Sequence, residues 1–260
     1  MLKNILIHID EACKRVIFSL GQATLLAMKG LGGIFIPPLN VKLTLREIDN
    51  FGAGSLFLVD LIALFTGMVM ALQTIYGLSY YGAEMYVGSV VSLSLVRELG
   101  PVLTSIMVGA RVGSGIAAEI GSMQVTEQID AMRALGASPV KKLVTPKILA
   151  GMITLPLLTV TADIVGIFGG MIISLFELEI HRTFYINSVL TTVKMTDFLS
   201  GVGKTVFFGF LIAVIGCYFG LKTTGGTTGV GRSTTITVVT TSILILISDF
   251  FLTKLFLVVF

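Results

Sequence analysis

Five stretches of this chain, about 52–77, 88–117, 147–176, 198–220 and 234–258, are long, apolar and nearly free of charge. A helix crossing a bilayer needs roughly 20 mostly apolar residues, so each stretch is long enough to cross. That limits the fold more than any other feature. Only 13% of the 260 residues are charged, against about 25% in an ordinary soluble domain. No second soluble domain fits between the runs. The sequence therefore predicts an all-α polytopic membrane protein, one domain over residues 1–260. Residues 1–50 form an interfacial or elbow region and residues 51–260 a transmembrane bundle. The second and third runs exceed what a perpendicular helix needs, so they tilt, bend or protrude. Pro101 and Pro156 are the expected bend points.

The first fifty residues read differently. Leu6, Ile9, Cys13, Val16, Ile17 and Leu20 recur at helical spacing, with Lys3, Asp10, Glu11, Lys14 and Arg15 between them. That pattern predicts a helix lying in the membrane interface. Lys29, Gly30, Gly32 and Gly33 interrupt the alternative, a sixth crossing at 16–36. Pro37 and Pro38 break the helix. Acids and bases mixed into the pattern do not suit a cleaved signal peptide. Cys13 and Cys217 are far apart and in apolar or amphipathic context, so they read as filler rather than a disulfide framework.

Charge placement orients the chain. Of the 18 Lys and Arg, a cytoplasmic N-terminus with five spans puts twelve inside, from Lys3 to Arg232. Only Arg182, Lys194 and Lys254 fall outside, as the positive-inside rule favours. The C-terminus is then external.

Several charges lie in or near the apolar runs: Asp60, Arg97, Glu98, Arg111, Glu119, Asp163, Lys204 and Asp249. A charge at mid-bilayer costs at least about 2.5–3.5 kcal/mol on insertion scales, so such residues face a partner or a wet cavity. Lys204 and Asp249 suit either a structural ion pair or a transport path. Ser105, Gly109, Gly113, Ala117 and Gly121 recur every four residues, and Gly201, Thr205, Gly209, Ala213 and Cys217 repeat the device. Two such ridges predict close helix contact, within or between subunits. Ala63, Gly67 and Ala71 form a shorter one.

The segment GSMQVTEQIDAMRALGASP is too polar for lipid. It predicts a cytoplasmic helix over 122–136 between the second and third spans. Ser122 is its expected N-cap and Gly136 its stop, with Pro139 beyond. Val125, Ile129 and Met132 form a narrow apolar stripe. Such a helix suits presentation to a partner.

DAMRALGASPVKKLVTP resembles the cytoplasmic "EAA" loop of ABC-transporter permeases, with Asp130, Ala131, Met132 and Gly136 in the matching places. Pro146 comes earlier than that pattern sets it. A longer set is closer still to the MlaE-type permeases of phospholipid-trafficking ABC systems. It comprises RELGPVLTSIMVGARVGSGIAAEIGSM, TEQIDAM, GLKTTGGTTGVGRSTTITVV and ISDFFLT. The resemblance covers about residues 50–258. It implies a homodimer in the bacterial inner membrane, five spans and an interfacial helix per chain. It also implies a cytoplasmic ATPase dimer that carries ATP and Mg, a periplasmic hexamer of MCE domains and a STAS-domain protein. No cofactor and no nucleic acid is expected in this chain. By the same resemblance, phospholipid meets Met70, Leu78, Tyr81, Arg97, Glu98 and Leu99. Glu98, Lys204 and Asp249 are the intramembrane polar set. Glu119, Glu127, Gln128, Asp130, Arg133 and Gly136 couple to the ATPase.

The residues alone leave a different transport class open, an ion- or proton-coupled carrier or channel using Glu98, Lys204 and Asp249. A purely structural scaffold for periplasmic partners is a third class. The run from Gly226 to Ser233 nearly spells a phosphate-binding loop, but Arg232 replaces its lysine and a span rather than a strand precedes it. It reads instead as a tight turn, with Thr or Ser capping the fifth span. His8 and His181 are isolated, and no nucleophile–base pair or metal cluster is readable, so this chain is not expected to be an enzyme.

Overall fold

The structure, a computed structural model, describes residues 2–35, 41–178 and 180–259. Ten α-helices account for most of them. They are α1 (Leu2–Phe35), α2 (Val41–Ser79), α3 (Val87–Ser94), α4 (Gly100–Val108), α5 (Ser114–Val125), α6 (Gln128–Ala134), α7 (Thr145–Glu177), α8 (Arg182–Thr192), α9 (Met195–Leu221) and α10 (Gly226–Val259). π-Helical turns at Leu95–Leu99, Gly109–Gly113 and Val140–Val144 join α3 to α4, α4 to α5 and the polar loop to α7. The described residues contain no strand. This is an all-α polytopic membrane protein, as the apolar runs required.

Among the described residues, six helical stretches are long and apolar enough to cross a membrane, including Ile17–Ile34. Contacts distinguish that sixth stretch from the others. Gln22 on α1 accepts hydrogen bonds from Tyr218 and Lys222 at the end of α9. Eight residues later, the Gly30 carbonyl accepts one from Thr145 at the start of α7. A helix advances about 12 Å over eight residues, yet α1 stays at one end of the bundle. It lies across that end, as an interfacial helix does. We call this the proximal end, because α6 is also there, and the opposite end distal. The break expected at Pro37 and Pro38 lies outside the described residues, as do the side chains of the Leu6–Val16 stripe.

The core is built by close helix approach. Gly67 on α2 abuts the Gly166 carbonyl on α7, and Gly169 abuts Leu64. Gly151 on α7 and Gly209 on α9 face each other, each against the other's carbonyl. A Cβ at Gly109 or Gly113 would meet Ile212 of α9 and a threonine of α10, and one at Gly216 would meet Ile116 of α5. Both ridges read from the sequence are thus used inside the subunit. Cys217, fully buried on α9, is a free thiol that fills space.

Several boundaries differ from expectation. The second span is one helical column interrupted by two π turns. Pro101, which cannot donate, stands at the second residue of α4, where one turn has just ended. Pro156 stands inside α7 without ending it. The fifth span begins at Gly226 rather than near 234. In its polar start the hydroxyls of Thr228, Thr234 and Thr237 are satisfied by the carbonyls of Gly225, Gly231 and Ser233. The run Gly226–Ser233, read from the sequence as a tight turn, is instead the start of this helix; the turn lies just ahead of it, where Gly225 and Gly226 have φ of 88° and 69°. Helix α8 was not expected. Tyr185 anchors it, 2% exposed, with its hydroxyl 3.3 Å from the Ile167 carbonyl. Burial pushes that phenol up to about 12.

Candidate functional site: a distal polar cavity and a proximal knob

The first π turn places two charges side by side. A π turn widens the helix by one residue and leaves local geometry that often marks a functional site. Here it carries Arg97 and Glu98. Lys204 on α9 reaches this turn from the opposite helix and is 1% exposed. Its ammonium donates to Glu98 Oε2 at 2.7 Å, to Thr253 Oγ1 at 2.6 Å and to the Arg97 carbonyl at 3.2 Å. Asp249 Oδ1 lies 3.2 Å away as a second counter-ion. Thr253 donates onward to the Glu98 carboxylate. One lysine thus ties the second, fourth and fifth spans together, at a depth where an unpaired charge would be expensive.

Arg97 leaves the turn in another direction. Its Nε lies 2.8 Å from Asp197 Oδ1. Asp197 also accepts the Lys194 backbone N–H at 3.0 Å, which closes the start of α9. Arg97 remains 41% exposed while Asp197 is 7% exposed, so guanidinium donors are left for a further anion. The two charges open on a distal cavity of about 280 Å³, whose walls include Ser94, Ser200 and Phe256. On the far side of the turn, Asp163 of α7 lies against Gly100. It is 3% exposed, and neither of its oxygens has a hydrogen-bond partner among the described residues.

The expected lipid-contact residues separate into two places. Arg97 and Glu98 line the distal cavity. Met70, Leu78 and Leu99 pack instead against Ala71, Val87, Val91 and Leu95, an apolar cluster on the α2 side of the same turn. Tyr81 stands at the distal tip, 84% exposed. Within one chain these six do not surround a common space.

The proximal end carries the polar helix in shortened form. Ser122 does not cap it. Helix α5 runs on to Val125, and the Ser122 carbonyl accepts from Thr126. The break comes at Glu127, a non-glycine residue at φ 59°. That left-handed conformation costs about 1–2 kcal/mol, and seven residues of α6 follow. Ile129, fully buried in the main core, holds α6 to the bundle, with Met123 and Met132 packed beside it. Gly136 ends it at φ 75°, with Gly136 N–H to Arg133 O and Ala137 N–H to Met132 O, a Schellman closure. Gln128, Asp130 and Arg133 face outward, with Asp130 and Arg133 paired at 2.7 Å on the surface. Glu119 is not on this knob. It sits on α5, where its Oε2 meets Lys147 at 2.7 Å. Lys147 is 2% exposed and also bonds Glu47 of α2 at 2.6 Å. The sequence counts Lys147 with the cytoplasmic charges, yet it is a buried cation held between Glu47 and the half-exposed Glu119.

Sequence comparison decides the family. Residues 44–255 match the family described as Permease MlaE. The chain belongs to the MlaE permease family. A probable ABC transporter permease protein of Rickettsia felis is 42% identical over 256 residues, 98% of this chain and 99% of its own length. One from Synechocystis is 44% identical over 217 residues, 84% of this chain and 82% of its own. Protein TRIGALACTOSYLDIACYLGLYCEROL 1, chloroplastic, of Arabidopsis thaliana is 37% identical over 236 residues, 91% of this chain and 65% of its own. The chain is accordingly a membrane subunit of an ABC transporter. Its cavity opens near the distal start of the helical column 87–125, and its knob, α6, follows the break at Glu127 at the proximal end.

Proposed function

We propose that this permease moves phospholipid between the bacterial inner membrane and a periplasmic carrier built from MCE domains, and so maintains lipid asymmetry of the outer membrane. The observation that carries this reading is the distal cavity: a half-exposed guanidinium, Arg97, in a bundle of apolar helices, with Ser94, Ser200 and Thr253 on one part of the wall and Leu93, Phe256 and Leu257 on another. A phosphate is a ligand that suits such a guanidinium, and acyl chains suit Phe256, Leu257 and the α2–α3 cluster. The Arabidopsis relative bears the name of a galactose-carrying glycerolipid, which points the same way.

The reading places the proximal end in the cytoplasm and the C-terminus in the periplasm. Two copies face each other across the lipid, a cytoplasmic ATPase dimer binds the α6 knobs, and a STAS-domain protein joins the ATPase. ATP and Mg belong to the ATPase. Nucleotide-driven closure pushes α6. Ile129 passes the push to α5, and the tightly packed column passes it to the π turn at Arg97–Leu99. Lys204 holds that turn to the fourth and fifth spans, so they move with it and the cavity narrows.

Purification in mild detergent followed by mass spectrometry of what copurifies tests the assembly. Recovery of an ATPase, an MCE-domain protein and phospholipid is the expected result, and a chain that emerges with none of them refutes it. The charged cluster of Glu98, Lys204 and Asp249 also supports a second reading, ion- or proton-coupled transport. Lipid movement that needs no ATPase and stops when a proton gradient is collapsed would favour that one.

A further inference from the structure

A second set of charges lies at the other end of the same span. Arg111, Gly115 and Glu119 recur every four residues, and all three are exposed, while Val112, Ile116 and Ala117 between them, and Ile120 just beyond, are buried. They form one wall of a cavity of about 250 Å³, closed by Glu47, Asn50 and Lys147. A Cβ added at Gly115 would meet nothing within 4 Å, so the space between the two charged residues is open.

The charges in this cavity are unevenly satisfied. Lys147 is held by Glu47 and Glu119 together. Arg111 makes one bond, from Nη1 to the Ser55 hydroxyl at 3.2 Å. No carboxylate among the described residues lies within 4.0 Å of it. A guanidinium offers five donors and stays charged in any protein, so this one lacks an anion. Arg111 lies six residues inside the proximal limit of its apolar run, about 9 Å. Its guanidinium crosses to α2, against Gly54 and Ser55. Glu119 lies about 12 Å further out along the same helix, with 53% of its side chain exposed.

The order of charges from the bilayer outward is therefore cation, then carboxylate. In a zwitterionic phospholipid the order from the acyl chains outward is phosphate, then ammonium. We propose that this cavity is a second headgroup site. It takes an aminoalcohol phospholipid of the proximal leaflet, phosphate on Arg111 and ammonium against Glu119 and Glu47. Gly115 leaves room for the atoms between them. The inference rests on the phospholipid-permease reading and adds to it a place where lipid is held before or after the distal cavity.

Native mass spectrometry of the full-length chain with its copurifying partners, delipidated and then titrated, tests the site. The probes are phosphatidylethanolamine, phosphatidylglycerol and inorganic phosphate. Arg111→Gln is expected to weaken one phosphatidylethanolamine about tenfold, the size of a lost bond to a charged group. Gly115→Leu, which fills the opening and leaves every charge in place, is expected to do the same. Glu119→Gln is expected to erase the preference over phosphatidylglycerol. Arg97→Gln is expected to leave this lipid bound. Unchanged lipid binding in both Arg111→Gln and Gly115→Leu overturns the site. Inorganic phosphate binding as tightly as lipid overturns it too, because the ligand is then a soluble anion. If Arg111→Gln splits the dimer and keeps its lipid, the stripe is a contact between copies, and the proposal falls. Wild-type protein that holds this lipid but transfers none refutes the transport reading and leaves the site standing.

Discussion

Lys204 is the residue on which the most depends. Removing it strands Glu98 and Asp249 around an empty space. Breaking a buried ion pair from one side costs about 3–5 kcal/mol, and Glu98, 40% exposed, puts the expectation near the low end. Lys204→Ala should therefore melt well below wild type in detergent. A triple variant, Lys204→Met with Glu98→Gln and Asp249→Asn, removes all three charges together. Its melting temperature should return most of the way. Lipid transfer should not return if the cluster has a transport role, and recovery of both would make it structural only. Sequence reading found Glu98, Lys204 and Asp249 because charges inside apolar runs stand out. It missed Asp197 and Thr253, whose residue types are ordinary at the ends of helices. It also left Lys147 among the cytoplasmic charges, since the carboxylates of Glu47 and Glu119 approach it only after three helices have packed.

At the scale of elements, the spans were legible because each is a long apolar run, and lipid permits little else but helix. Helix α8 was not, because RTFYINSVLTT has neither the length nor the period of a span; Tyr185 fixes it through tertiary contact. The π turns were not legible either. A shifted hydrogen-bond register leaves no trace in composition, although Pro101 came close to marking one. Glycine contacts give a sharp prediction here. A Cβ at Gly209 would enter the Gly151 backbone on α7, so Gly209→Val forces α7 and α9 apart. Overpacking of this kind costs about 1–3 kcal/mol, readable as a lower melting temperature, whereas Gly115→Ala, on a helix with open space at its Cβ, should raise it slightly. Helix α6 behaves in the opposite way. An exposed ion pair such as Asp130–Arg133 contributes about 0–1 kcal/mol, so Asp130→Ala with Arg133→Ala should barely move the melting temperature. The expected loss is in ATPase binding, measured by copurification.

For the whole molecule, the proposed function separates where force would enter from where cargo would be held. The knob is proximal, the Arg97 cavity distal, and packed small residues join them. Orientation follows from charge placement and is checkable. A label at residue 2 should react from the cytoplasmic side and one at residue 258 from the outside. Residue 2 reacting from outside would make α1 a sixth span, against its contacts with the proximal ends of α7 and α9. The family-implied pocket illustrates what one chain cannot reveal: Met70, Leu78 and Tyr81 do not meet Arg97 within a subunit, and the proposed lipid lies between two. The most direct measurement is ATP-dependent transfer of fluorescent phospholipid from proteoliposomes holding the permease, its ATPase and its MCE-domain partner. Wild type should transfer lipid only with ATP, while the Asp130→Ala, Arg133→Ala variant stays folded, keeps lipid bound and transfers none. Undiminished transfer by that variant would contradict the claim that α6 drives the cavity.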